Sequence, residues 1–570
     1  MKRLLPLVLL VMATAAQADI RVAVSGVDEA LRENVLAMLS VQEYRARKDL
    51  TEAMVQRLHA RAPEEIRRAL MPFGYYDVEI ESSLLREGNH WRASYRIRPG
   101  RPVQIDNVNV VIDGDEQARA AFADITPPFR RGDRLLHSQY ESLKSRLLAR
   151  ANATGYLDAH FTTQRLAVNP ATRTADIELV LATGEQYFFG DIDITQQILD
   201  DDFVRRFLPF EAGDPFDFDK LLDFQYALTD SDYFATVNVE PLRAQAEDQH
   251  VPVAITAREK KRSRYTAGLG YGTDTGPRIT IGFQRRYVNR RGHRLGMETM
   301  ISDVESSFAT RYIIPLKDPV RENFQLFFGT VRQDLGDAES RRLVLAPSRV
   351  RILGDWEQTF YLRLEDETSI LPGREFETLM LVPGGTWSKT RADDLFYTRS
   401  GYRLFGDLRF SHDALGAESE FVRLHIIGKR IFPLGERFRL LLRAEAGAIL
   451  LADETEMPVS QRFFAGGDQS VRGFDYNRLA TRDADGNVVG GRYLATGSAE
   501  IEYRFAESWA VAAFSDTGNA MDDPDDKLET SYGLGLRWLS PVGVLRFDVA
   551  APITGGGDSF RLHISIGPDL

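Results

Sequence analysis

The sequence predicts a tandem of small α+β modules followed by an all-β region that closes into an antiparallel transmembrane barrel of roughly sixteen strands. Three observations predict it. A short signature recurs about every 80 residues in the first half; the pattern changes near residue 264 to strict two-residue alternation; and beyond that point the charges keep to one parity. Composition bounds the rest: 570 residues, 83 acidic against 71 basic side chains, a net charge of -12 and no cysteine. Hydrophobic residues at 43% and aromatics at 10% exclude a disordered acidic tail. The acidic balance, without a long Lys/Arg block, argues against a nucleic-acid binder held by phosphate contacts. Without cysteine there is no disulfide framework, thiolate metal site or cysteine nucleophile.

The chain opens with Lys2 and Arg3, an apolar run from Leu4 to Met12, and Ala16-Gln17-Ala18 before Asp19. This is the pattern of a secretory signal peptide over residues 1–18, with cleavage after Ala18. The run is too short for the roughly 20 residues of a spanning helix. Any membrane contact of the exported protein therefore has to be made by strands.

From 19 to about 260, helical and strand patterns mix. Glu29 to Leu36 and Gln139 to Leu148 read as helices. Gly74-Tyr75-Tyr76-Asp77, Gly155-Tyr156-Leu157-Asp158 and a looser Asp232-Tyr233-Phe234 each follow a helix, with their tyrosines 81 and 77 residues apart. Gly132-Asp133 and Gly213-Asp214 precede the helices of the later copies, and each repeat closes on a strand such as Ile177 to Leu181. The pattern gives three modules, over 19–100, 101–183 and 184–260.

Residues 264–570 read as strands only. Leu562, Ile564 and Ile566 alternate with His563 and Ser565, while Tyr532, Leu534, Leu536 and Trp538 alternate with glycines and Arg537. These 307 residues are too many for one sandwich and lack a propeller repeat. An arginine on a lipid face costs about 2–4 kcal/mol, which explains the charge parity. Short turns alternate with long polar connections such as Arg478 to Arg492, as in an outer-membrane barrel with short periplasmic turns.

One connection reads Arg462-Phe463-Phe464-Ala465-Gly466-Gly467-Asp468-Gln469-Ser470-Val471-Arg472-Gly473-Phe474. It resembles the sixth-loop motif of the outer-membrane assembly superfamily that includes BamA, TamA and the two-partner secretion transporters, whose core is Arg-Gly-Phe/Tyr. The repeats resemble that family's periplasmic POTRA domains, and Phe514 to Asn519 resembles its partner strand motif. Three modules with sixteen strands is the plan of the TamA branch. The resemblance implies an outer-membrane factor with periplasmic modules, client outer-membrane β-barrel proteins and a TamB-like partner spanning the periplasm. It implies no cofactor.

Val471, Arg472, Gly473 and Phe474 are thus the candidate loop residues. Glycines at 466, 467 and 473 permit positive φ and a folded-back loop. Strand parity puts Phe514 and Asp516 on the lumen face, so an inward loop would pair Arg472 with Asp516 by a charge-assisted bond. A barrel that feeds other chains into the membrane needs a closure that can part. Candidate closing strands are Tyr265 to Gly272, weakened by Gly268, Gly270 and Gly272 on one parity, and Phe560 to Gly567, where Ile564 is a crosslink position opposite Leu269 and Gly567 precedes Pro568. The alternative is that the glycines only relieve crowding. An enzyme is disfavoured: there is no Gly-x-Ser-x-Gly elbow, His-Glu-x-x-His or Walker loop, and no catalytic or metal-ligating set among nine scattered histidines. A passive porin leaves the repeats unexplained. The nearest rivals are a two-partner secretion transporter and a BamA-like insertase.

Overall fold

The computed structural model describes residues 20–45, 47, 50–88, 90–394, 397–452, 456–540, 543–554 and 560–567. Ala16, Ala18, Asp19 and Pro568 lie outside them. The chain divides into two units, one of residues up to 193 with 210–222 and 240–254, the other of 194–209, 223–239 and 255 onward.

In the first unit, strands β1 (Ile20–Ser25), β2 (Glu79–Glu87) and β3 (His90–Arg98) form a sheet in the order β1-β3-β2, covered by helices α1 (Glu29–Met38), α2 (Ser40–Glu43) and α3 (Glu52–Leu70). Caps set the helix starts: Asp28 accepts from the Leu31 amide at 3.0 Å and Thr51 from the Met54 amide at 3.3 Å. Val35, Val55, Ile66 and Leu70 bury their apolar faces against Tyr95 and Ile97. A second sheet repeats the order with β4 (Gln104–Asp113), β5 (His160–Asn169) and β6 (Thr174–Ala182), under α4 (Glu116–Ala121) and α5 (His137–Ala153). In both sheets the middle strand is parallel to the first and antiparallel to the second.

The third set is β7 (Phe188–Thr195), α6 (Asp201–Arg205), α7 (Phe218–Asp230), β8 (Phe234–Pro241) and β9 (His250–Glu259), again with the last strand central. Its signature lacks glycine for a structural reason. Gly74 and Gly155 sit at φ +82° and +86°, and Asp232, at the matching place, takes φ +62°. A left-handed non-glycine costs about 1–2 kcal/mol, least for Asp and Asn. The carboxylate is used: it bonds Lys260 at 2.7 Å and Arg286 at 2.9 Å. Next to it, Tyr233 donates to the Gly292 carbonyl at 2.5 Å beneath the Arg294 guanidinium. The departure from the repeat thus serves a joint to the turn at 286–293.

Burial raises the pKa of Asp232, but the bonds from Lys260 and Arg286 outweigh it and hold the carboxyl below its ordinary value. Its contribution to stability is then present above the unfolded value of about 3.9 and is lost as pH falls through the lower folded value. Asp232→Ala is expected to lower the unfolding temperature of the detergent-solubilised chain more than Asp232→Gly, because glycine keeps the turn while both lose the ion pairs. Equal losses would remove the backbone argument.

In the second unit, sixteen strands form one antiparallel sheet: β10 (Ser263–Gly272), β11 (Gly276–Arg285), β12 (Arg294–Ser302), β13 (Glu305–Pro315), β14 (Glu322–Leu335), β15 (Ala338–Leu353), β16 (Trp356–Leu371), β17 (Arg374–Ala392), β18 (Gly401–Ser411), β19 (Phe421–Leu434), β20 (Phe438–Leu451), β21 (Tyr493–Ala506), β22 (Trp509–Met521), β23 (Glu529–Ser540), β24 (Gly543–Pro552) and β25 (Arg561–Gly567). Each pairs with its sequence neighbours, the pattern of an up-and-down barrel. Parity behaves as the alternation predicts: Leu534, Ile501, Leu424 and Leu562 face outward, whereas Arg537, Glu500, Arg423 and His563 are buried inside. Phe438 packs on Tyr503 and Trp509 on Trp538 where these strands meet the periplasmic turns, an aromatic girdle at one interface. Among the described residues no helix is long and apolar enough to cross a membrane.

Candidate functional site

The connection between β20 and β21, the sixth outer loop, folds back into the lumen. Gly466, Gly467 and Gly473 adopt φ of +100°, +98° and +93°. At Gly466 a Cβ would lie 2.2 Å from the Asp475 carbonyl oxygen, so the hairpin tolerates no side chain there.

This backbone delivers Arg472 to the wall made by β21, β22 and β24. Its Nε and Nη2 bond the two oxygens of Asp516 at 2.7 and 3.0 Å, a fork-to-fork pair, and its backbone amide adds a third bond at 3.1 Å. Nη1 reaches Glu500 at 2.8 Å and Asp548 at 3.0 Å. The guanidinium also lies 3.3 Å from the centroid of the Phe514 ring. Burial alone lowers the pKa of Arg472, and the three carboxylates more than offset it, raising the value above the usual arginine range. Arg537 completes the network from β23, bonding Glu500 at 2.6 Å, Glu502 at 3.1 Å and Asp548 at 2.5 Å. Arg439 binds the other oxygen of Glu502 at 2.6 Å.

The sequence therefore places Arg472, Asp516 and Phe514 on one constellation, and the structure brings all three together. Val471 is fully buried beside them, and Phe474 is nearly so. Glu500, Asp548 and Arg537 belong to no motif, and their place on the polar parity is the one signal in the sequence that points to them.

Two further anchors strap the loop to the opposite wall. Ahead of the glycines, Ser460 donates its amide and hydroxyl to Glu367 at 3.0 and 2.5 Å, Gln461 bonds Glu365 at 3.1 Å and the Val459 amide bonds Ser369 at 3.0 Å, all on β16. Behind them, Asp337 in the β14–β15 turn accepts from the Val488 amide at 2.8 Å and pairs with Arg478.

The seam lies where the sheet ends. β10 and β25 are the terminal strands, and no ladder joins them among the described residues. Gly268, Gly270 and Gly272 lie on β10; Ile564 and Gly567 lie on β25. Beyond its chain neighbours, a Cβ at Gly268 would come no nearer than 3.8 Å to another residue and one at Gly270 no nearer than 3.5 Å, so crowding does not require glycine at either, whereas at Gly272 a Cβ would lie 2.9 Å from the Thr275 hydroxyl oxygen. The register differs from the expected one: Ile564 adjoins Thr273, whose hydroxyl accepts the Ile564 amide at 3.2 Å, rather than Leu269. The middle of the seven-residue β25 thus faces the turn that follows β10.

A family model for the Omp85 superfamily domain matches residues 288–569, one for POTRA domain TamA domain 1 matches 21–99, and one for a surface antigen variable number repeat matches 187–260. Among curated relatives, an outer membrane protein assembly factor BamA from Nitratidesulfovibrio vulgaris is 25% identical over 394 residues, covering 64% of this chain and 49% of that protein. The protein of the same name from Neisseria meningitidis serogroup B is 21% identical over 562 residues, covering 84% and 68%. The chain thus spans about half the length of the former. The crystal structure of BamA from Haemophilus ducreyi lacking POTRA domains 1-3 shares the fold, with a TM-score of 0.67 at 15% identity over 82% of this chain and 99% of that one. The sixteen-stranded sheet, the inward loop and these matches lead to one assignment: the chain belongs to the Omp85 superfamily, as an outer-membrane β-barrel carrying periplasmic POTRA domains.

Proposed function

We propose that the protein is an assembly factor of the TamA type, which helps client β-barrel proteins enter the outer membrane through the seam between β10 and β25. The observation that carries this reading is the combination of two terminal strands that no ladder joins among the described residues with a loop strapped inside the same barrel. An unpaired edge presents free amides and carbonyls, to which a client strand adds by main-chain hydrogen bonds. Three α+β modules and the match of residues 21–99 to the TamA-type model favour this branch over a two-partner secretion transporter. The modules are proposed to dock a TamB-like protein that spans the periplasm. The names of the curated relatives favour a second reading, a BamA-like insertase, which uses the same seam.

A disulfide tests the seam, and the cysteine-free chain makes it clean. Thr273→Cys with Ile564→Cys, oxidised, is expected to abolish client assembly in reconstituted membranes, and reduction is expected to restore it. Full activity in the crosslinked protein would exclude obligatory opening.

A further inference from the structure

Among the described residues no backbone ladder joins β10 to β25, yet the two ends of the sheet are not free of one another. Three elements meet at the top of the seam: the β10–β11 turn at 273–275, the middle of β25, and the sixth loop between Gly467 and Gly473. Asp274, on the turn, accepts the Asp468 backbone amide at 2.6 Å. That approach requires glycine at 467, where a Cβ would lie 2.8 Å from the same carboxylate oxygen.

The other side of the junction is His563 on β25, which is 2% exposed. Its Nε2 accepts the Gly473 amide at 3.0 Å. A backbone N–H only donates, so Nε2 carries the lone pair and the neutral ring keeps its proton on Nδ1. Nδ1 faces the Asp274 carboxylate at 3.5 Å, an electrostatic contact beyond good hydrogen-bond length. The contacts therefore run in a ring: loop to β25 through Gly473 and His563, β25 to the first hairpin through Asp274 and through Thr273, and hairpin back to the loop through the Asp468 amide.

We propose that Asp274 and His563 are positioning residues that form a clasp coupling the strapped loop to the seam, so that parting β10 from β25 loosens the Gly467–Gly473 segment, and loosening that segment frees the seam. This deepens the seam reading above and rests on it. Coupling of this kind is reciprocal by linkage, which separates it from a merely local structural role.

The test uses the full chain in lipid nanodiscs, with two geometric readouts. Spin labels at Leu269→Cys and Leu562→Cys, both outward-facing, report the seam by pulsed EPR; maleimide labelling of Ser470→Cys reports the loop. Heat-modifiable migration on gels first establishes that each variant is folded. Asp274→Ala is expected both to broaden the seam distances and to speed Ser470→Cys labelling about ten-fold, the size of a lost charge-assisted bond. Gly467→Ala, a change on the loop alone, is expected to broaden the seam distances as well. His563→Leu should act like Asp274→Ala. His563→Gln, whose amide offers an acceptor to Gly473 and donors to Asp274, should behave as the unaltered protein.

Effects confined to the altered side, or no effect of Asp274→Ala on either readout, would overturn the clasp. So would a His563→Gln variant indistinguishable from His563→Leu. None of these readouts measures client assembly. An active crosslinked seam would therefore sink the functional reading and leave the clasp standing, while a silent Asp274→Ala would do the reverse.

Discussion

Arg472→Ala is expected to release the sixth loop from the lumen and to abolish assembly activity. The guanidinium satisfies Asp516, Glu500 and Asp548 together at 2.7 to 3.0 Å, and Asp516 is fully buried. Truncating one partner of a buried ion pair costs about 3–5 kcal/mol, because the other charge stays behind without compensation. Here three carboxylates remain, and Arg537 already serves two of them. The loop then gains by leaving, and limited proteolysis at Arg478 should cut the variant and spare the parent. Arg472→Lys keeps the charge but loses the fork that matches Asp516, so an intermediate phenotype is expected. If Arg472→Ala resists the protease and keeps full activity, the docked loop is not needed for function.

The second large effect is expected at Arg537, and it should fall on the wall rather than the loop. Arg537 is fully buried and joins β21 to β24 from its place on β23, through Glu500, Glu502 and Asp548. Arg537→Leu leaves Glu502 with Arg439 and the Tyr397 hydroxyl, and Glu500 and Asp548 with Arg472, as their remaining ion-pair and hydrogen-bond partners among the described residues. A loss of about 3–5 kcal/mol is expected, read as a fall in the temperature at which the barrel ceases to migrate as a folded species. Adding Glu502→Gln should recover part of the loss, because it removes one of the charges left stranded. Double-variant stability below that of Arg537→Leu would mean that Arg439 fully satisfies Glu502 by itself.

The barrel was legible because its signal is local. Alternation with period two shows within eight residues, as at Tyr532 to Trp538, and lipid forbids charge on the outer parity. The loop motif was legible through its resemblance to the family's sixth-loop pattern, and its folding back through its glycines, each set by the backbone at its own position. Of the partners that seat the loop, Asp516 and Phe514 were legible from the partner strand motif and its parity; the others were not. Arg472 and Asp548 lie 76 residues apart, and Ile564 and Thr273 lie 291 apart, distances over which no periodicity carries information. Nor could the sequence show why Asp232 stands where the other repeats have glycine, since the reason is Arg286, 54 residues onward.

The anchors of the loop also impose an order on how this chain must itself mature. They come from β16, the β14–β15 turn, β21, β22, β24 and finally His563 on the last strand. Contacts of such long sequence separation form late, after the entropy of closing the intervening chain has been met. The anchor on His563 forms only once the C-terminal strand has arrived, so protection of the plug from protease is expected to be complete only in the finished barrel.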